Sequence, residues 1–299
     1  MSENLLANPL EAFPVLPPGK VVSLVPSVTA SLFDLGLGDS VVGVTDYCTE
    51  PAAQVDRLPK IGGPRSPNVE VIKQLRPDLV LANREENDRE SVEALAAAGI
   101  PVWLAFPRTV RQAIEDLYKT AELFRSDTAL ARVQMLEQNL ELIGLTAQGN
   151  QPTRYFCPIW QGIEGDQRWW MTFSDDTYPG SVLEWFGGAN IFAGRMRRYP
   201  LGADLGLQPA EDAGERDARY PRVTLEEIIN GQPEMILLPD EPFPFDESHV
   251  VEMQECFADT PAVRNQQIFR IDGKAITWHG TRLSLALEQL PDLFFPIAF

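Results

Sequence analysis

The sequence predicts an α/β protein made of two similar lobes, and three observations carry that prediction. A helix–proline–strand unit occurs twice, at Asn68–Ala82 and at Thr224–Leu238, with Glu70 seven residues before Pro77 and Glu226 seven before Pro233. Apolar β-branched runs alternate with one-sided helical stretches on both sides of the chain's middle, the pattern of a parallel sheet covered on both faces. Between them, from Thr109 to Ala147, strand signals disappear and apolar residues recur at helical spacing.

In the first lobe, Val21–Val25 reads as a buried strand and Pro26-Ser27 as the turn into a helix that Gly36 and Gly38 stop. Val41–Thr45 is a second strand, followed by a polar loop at Asp46–Pro51. A Gly/Pro-rich loop, Ile61–Pro67, leads into the first copy of the repeat. A helix is disfavoured at the residue before proline, so Pro77 ends the helix and releases the strand Leu79–Ala82. The loop Asn83–Asn87, a helix over Arg89–Ala98 and a strand over Val102–Ala105 complete the lobe.

The strand-free stretch carries two stripes, Ile114, Leu117, Ala121 and Leu123, then Leu130, Val133, Leu136 and Leu140, with Ser126-Asp127 as a cap between them. It is expected to act as a stiff connector. In the second lobe, Arg154–Trp160 and Trp169–Phe173 read as strands and Gly180–Phe186 as a helix. Gly194–Tyr220 is expected to be a long mobile surface loop. The second repeat follows, then a loop at Glu241–Phe245, a helix over Glu247–Phe257, a strand over Gln267–Ile271, and the loop Trp278–Arg282 opening the last helix. The divisions are an extension over 1–19, a lobe over 20–107, a helical connector over 108–149 and a lobe over 150–299.

Composition narrows the function. With 43 acidic against 25 basic residues, the formal charge of −18 argues against nucleic acid and against an anionic membrane surface. Cys48, Cys157 and Cys256 have neither zinc spacing nor a disulfide framework, and are expected to be structural thiols. No apolar run is long enough to span a membrane. Residues 1–20 lack a basic segment followed by an apolar one, so the chain is expected to remain in the cytoplasm. No nucleophile–base motif, P-loop or GxGxxG occurs, so an enzyme is not indicated.

Val21–Ser27 with its Ala-Ser-Leu-Phe-Asp-Leu-Gly-Leu helix, Val42–Tyr47, the stretch from Glu70 to Val80, and Gly187–Phe192 resemble the class III substrate-binding proteins of ABC importers for vitamin B12, ferric siderophores and haem. The resemblance covers about Lys20 to Leu293. It implies two doubly wound α/β lobes joined by a long connecting α-helix, a ligand cleft between the lobes, a small metal chelate as ligand and an ABC permease as partner. Cobalamin, haem or a ferric siderophore is then bound cargo, with no intrinsic cofactor, no resident metal site and a monomeric protein. Ligands of open α/β sheets sit beyond the strands' C-terminal ends. The expected ligand-binding residues therefore stand in loops that follow strands, together with the loop opening the last helix: Ser27, Tyr47, Arg65, Asn83, Arg84, Trp160, Phe173, Trp278, His279 and Arg282. Aromatics supply flat walls, arginines pair with ligand acids, and His279 ligates a metal or hydrogen-bonds a carboxylate. Relatives that bind vitamin B12 carry aromatics where this chain has Pro64 and Asn83. The resemblance makes Glu70 and Glu226 the permease-docking residues; alternatively they are first-turn glutamates favoured by the helix dipole. The alternative function is a cytosolic metal-chelate or tetrapyrrole carrier, or a chelatase-like enzyme, which needs a histidine and an acid together.

Overall fold

A computed structural model describes residues 17–295, so most of the extension at 1–19 lies outside the described residues. The chain divides into two compact units. The first comprises 17–107, 111–139 and 278–283; the second comprises 108–110, 140–277 and 284–295. This differs from the expected division in one main respect: a six-residue piece near the C-terminal end of the chain belongs to the first unit.

The first unit holds a parallel sheet of β1 (Val21–Ser23), β2 (Val41–Val44), β3 (Leu79–Asn83) and β4 (Val102–Ala105), in the order β2-β1-β3-β4. Its helices are α1 (Pro26–Asp34), α2 (Ala52–Val55), α3 (Val69–Leu75), α4 (Arg89–Ala97) and α5 (Val110–Leu123, all but its first residue), joined by the first part of α6 (Asp127–Gln148). Val22, Leu24, Val80, Ala82 and Leu104 from the sheet pack with Ile72 and Leu95 in one buried core.

The second unit repeats this winding. Its parallel sheet runs β11-β10-β5-β8, from β5 (Thr153–Phe156), β8 (Gly188–Asn190), β10 (Met235–Pro239) and β11 (Ile268–Ile271). In each sheet the first strand has the second on one flank and the third and fourth on the other. Strand order therefore reverses between β1 and β3, and between β5 and β10, and such switch points open a crevice at the strands' C-terminal ends. The helices of this unit are α7 (Tyr178–Trp185), α8 (Leu201–Asp204), α9 (Leu225–Gly231), α10 (Glu247–Cys256), α11 (Pro261–Arg264), α12 (Lys274–Thr277) and α13 (Leu283–Phe294, all but its first residue).

The two copies of the repeat match in detail. Asn68 caps α3 by accepting from the Val71 amide at 3.1 Å, and Thr224 caps α9 by accepting from Glu227 at 3.2 Å. Both helices end on a left-handed residue, Arg76 (φ 48°) and Gln232 (φ 46°), directly before the proline. Both following strands are buried throughout. The acidic residue after each proline has a task that spacing alone does not reveal. Asp78 accepts from the Gly19 and Lys20 amides at 2.8 and 2.9 Å, and Glu234 accepts from Arg154 at 3.0 Å, so each caps the start of the neighbouring strand.

Four local expectations change. The connector is two helices, α5 and α6, broken where Arg125 takes a left-handed φ of 50°. Trp160 is not in a loop: it begins β6 (Trp160–Glu164), which pairs antiparallel with β7 (Gln167–Met171), itself paired with β9 (Arg222–Thr224). Asn83 is the buried last residue of β3 and not the start of a loop. Gly194–Tyr220 is irregular but pinned, because charge pairs inside it replace the missing ladder. The buried Asp204 carboxylate accepts from Arg195 at 2.9 Å and from the amides of Arg198 and Arg222 at 3.0 and 2.7 Å, while Arg195 also reaches Glu227 at 2.9 Å. Cys48 and Cys157 are buried free thiols and Cys256 is half-buried. Among the described residues no helix is long and apolar enough to cross a membrane.

Candidate functional site

In the first unit the switch point lies between the ends of β1 and β3, where Ser27 and Asn83 stand, and a third residue meets them there. His279 places Nε2 3.3 Å from the Ser27 hydroxyl oxygen and 3.0 Å from Asn83 Nδ2. Asn83 Oδ1 accepts from the Glu85 amide at 2.7 Å, which leaves Nδ2 as donor and makes His279 Nε2 the acceptor. The imidazole proton then sits on Nδ1, an assignment fixed by the network. Leu32, Leu81, Trp103 and Leu117 line an apolar cavity that His279 also borders. Desolvation there lowers the histidine pKa from 6.5 to about 4. The neutral ring, its Nε2 lone pair engaged, ties residue 279 to Ser27 and Asn83 at the strand ends. In this arrangement it does not present that nitrogen to a metal.

The pH dependence follows. Protonation is suppressed in the folded state and free in the unfolded chain, so this contribution to stability is present above about pH 6.5 and lost as pH falls towards 4. His279→Gln is expected to flatten the stability curve across that window, measured by denaturant titration at several pH values. An unchanged slope would show that another group sets it.

Residues 278–283 are fastened by more than the histidine. Thr281 donates from its amide to Ser31 Oγ at 3.1 Å and from its hydroxyl to Asp34 at 2.6 Å. Arg282 lies 3.2 Å from Asp34 and 2.9 Å from Glu50. Two carboxylates face the Arg282 guanidinium, which buckles the segment to the unit. Gly280 has a φ of 87°, and a Cβ there would stand 2.3 Å from Ser31 Oγ. Gly280→Ala is therefore expected to destabilise the protein by about 1–3 kcal/mol, read from the unfolding midpoint.

Other expected residues of this unit remain open to solvent. Tyr47 is 66 % exposed at the end of β2, with Gly63 beside its ring. Arg65 is exposed, 3.3 Å from Asp88, and Arg84 lies over the Phe106 ring at 5.2 Å. Trp278 is half-buried.

In the second unit the corresponding switch point, between β5 and β10, is aromatic. Trp160, 44 % exposed, meets Phe243 edge-to-face at 5.4 Å, and Phe243 contacts Phe245 at 4.7 Å and His249 at 5.4 Å. Phe243 is a residue that sequence reasoning missed although the signal was available. Its loop follows β10 as Arg84 follows β3, so the repeat itself points to it. Phe173, expected as a wall, is wholly buried, and its carbonyl accepts from Asn190 at 2.8 Å. It presents no surface to a ligand. Glu70 and Glu226 are both exposed in the first turns of α3 and α9; Glu70 pairs with Lys73 at 2.9 Å. Among the described residues no cluster of three or more His, Cys, Asp or Glu side chains is placed to hold a metal ion.

Comparison with known proteins gives this geometry a family. A family model described as "Periplasmic binding protein" matches residues 21–275. The vitamin B12-binding protein of Vibrio cholerae is 22 % identical over 295 residues, covering 97 % of this chain and 92 % of that protein. The vitamin B12-binding protein of Yersinia pestis is 29 % identical over 220 residues, covering 73 % and 69 %. Among solved structures, the periplasmic vitamin B12-binding protein of Vibrio cholerae superposes with a TM-score of 0.73 at 22 % identity, covering 93 % of this chain and 97 % of that one. The periplasmic heme-binding protein of Roseiflexus sp. RS-1 superposes with a TM-score of 0.70 at 24 % identity, covering 92 % and 97 %. These findings overturn the cytoplasmic expectation, because the matched family is periplasmic; with it goes the reading of a cytosolic carrier. The family is one of binding proteins, not enzymes. By a family match that spans both units, the chain belongs to the periplasmic binding proteins.

Proposed function

We propose that this protein captures a metal chelate of the cobalamin, haem or ferric-siderophore class and delivers it to an ABC permease, without chemical turnover and as a monomer. The observation that carries the reading is the pair of aromatic side chains, Trp160 and Phe243, standing at the switch point of the second unit. An exposed indole backed by a half-buried phenyl ring suits a large, flat, partly apolar molecule better than a small polar one. Within the first unit, exposed Tyr47, Arg65 and Arg84 offer an aromatic and two cations. Relatives named for vitamin B12 and heme support the same ligand class. The chelate is cargo in this reading, and no resident cofactor is needed. Glu70 and Glu226, both exposed on the first turn of the repeated helix, are the residues offered to the permease.

The purified protein is expected to retain colour after incubation with hydroxocobalamin, haem or a ferric siderophore and subsequent desalting. Loss of every chromophore on desalting would overturn the ligand class. Metal insertion into a porphyrin on prolonged incubation would overturn the absence of turnover.

A further inference from the structure

The antiparallel sheet β6-β7-β9 was not anticipated from sequence, and one of its faces is chemically unusual. Its pairing forms two cross-strand rows, Trp160·Met171·Arg222 and Gly162·Trp169·Thr224. Directly opposed residues share a face, so these six stand together. Trp170 and Val223, on the opposite face, are wholly buried in the core of the second unit. The first face is therefore the one turned away from that core, and its Trp160, Trp169, Met171 and Arg222 are all partly or largely exposed.

The Trp169 indole lies flat across Gly162, where a Cβ would come within 2.5 Å of the ring. The Arg222 guanidinium carbon is 5.8 Å from the centre of a Trp169 ring. Arg222 Nε, Arg222 Nη1 and Trp169 Nε1 are shielded from solvent and have no hydrogen-bond partner among the described residues. The acids nearby are engaged elsewhere. Asp204 receives Arg195 and the amides of Arg198 and Arg222, and Glu227 receives Arg195 and the Thr224 amide. All three orphaned atoms are donors, and an arginine is always charged. Such a set calls for an acceptor of negative charge.

The geometry points to an anion-binding subsite on this face: Arg222 and the Trp169 indole N–H take a carboxylate or phosphate, while Trp160 and Met171 carry the apolar body attached to it. The anion site stands on this geometry alone; taking the anion to be a peripheral acid of a metal chelate rests on the function proposed above. The same chemistry fits a porphyrin carboxylate or a corrinoid phosphodiester, and the two sources separate by experiment.

Affinities of the full chain for haem, for haem dimethyl ester and for hydroxocobalamin are to be measured by tryptophan quenching, in the wild type and in Arg222→Gln, Arg222→Lys and Trp169→Phe. For whichever acid-bearing chelate the wild type binds, Arg222→Gln is expected to weaken binding about 10- to 100-fold, with Arg222→Lys intermediate and Trp169→Phe smaller. A loss confined to haem and absent for its ester identifies carboxylate; a loss for hydroxocobalamin identifies phosphate. Equal affinities for wild type and Arg222→Gln overturn the subsite while leaving the chelate-binding reading intact. If the wild type binds no chelate, that reading fails, and the subsite is decided by nitrogen-15 spectra during titration with inorganic phosphate and with acetate. A shift of the Trp169 indole signal in the wild type that vanishes in Arg222→Gln supports it, and the absence of any shift overturns it.

Discussion

Arg195→Ala is expected to destabilise the protein by about 3–5 kcal/mol, because it strands the fully buried Asp204 carboxylate without its cation. Burial already raises the Asp204 pKa even with Arg195 present. Removing the guanidinium raises it further, so the variant's folded state prefers the protonated acid. A carboxyl group with a folded pKa above its unfolded value contributes stability at low pH and loses it as pH rises. The defect should therefore be larger at pH 8 than at pH 5, as read by urea unfolding at both. Arg195→Gln with Asp204→Asn should recover part of the loss, since no charge is left buried, although the single amide oxygen can accept from only one of the Arg198 and Arg222 backbone amides that the two carboxylate oxygens serve. A uniform small effect at both pH values would mean that the 194–220 segment is held by something other than this pair.

Glu70→Ala combined with Glu226→Ala is expected to leave chelate affinity unchanged and to reduce uptake about tenfold or more, the size of effect found when charged partners across an interface are truncated. Both carboxylates are exposed in the first turns of α3 and α9. Uptake of labelled chelate in cells, set beside affinity in vitro, checks this. Affinity lost together with uptake would show that these residues serve the ligand site. Unchanged uptake would leave them as helix-start glutamates.

The repeated unit was legible because every signal in it is local. Caps at Asn68 and Thr224, a stop at Pro77 and Pro233, and the buried strands that follow all act within about a dozen residues. The β6–β7 hairpin was missed although the two-residue Gly165-Asp166 loop between Trp160–Glu164 and Gln167–Met171 is a hairpin signal, because the aromatic run Trp169-Trp170 reads equally as a strand of the main sheet. Only the pairing of Trp169 with Gly162 and Thr224 shows which face each side chain takes. The ion pairs of Arg282 were not legible for a similar reason: nothing adjacent in the chain announces Asp34 and Glu50 as its partners.

By itself the sequence determined the α/β class, the two-fold repetition, the strand and helix order around each proline, and the family. Those depend on apolar periodicity and backbone stereochemistry, which act over a few residues. Tertiary structure alone decided which candidate side chains meet. His279 reaches Asn83 across 196 positions and Ser27 across 252, and Arg168 reaches Glu252 across 84. Contacts at such separations are set by how strands order in a sheet and which loops converge at its ends, and the linear sequence carries no direct mark of either.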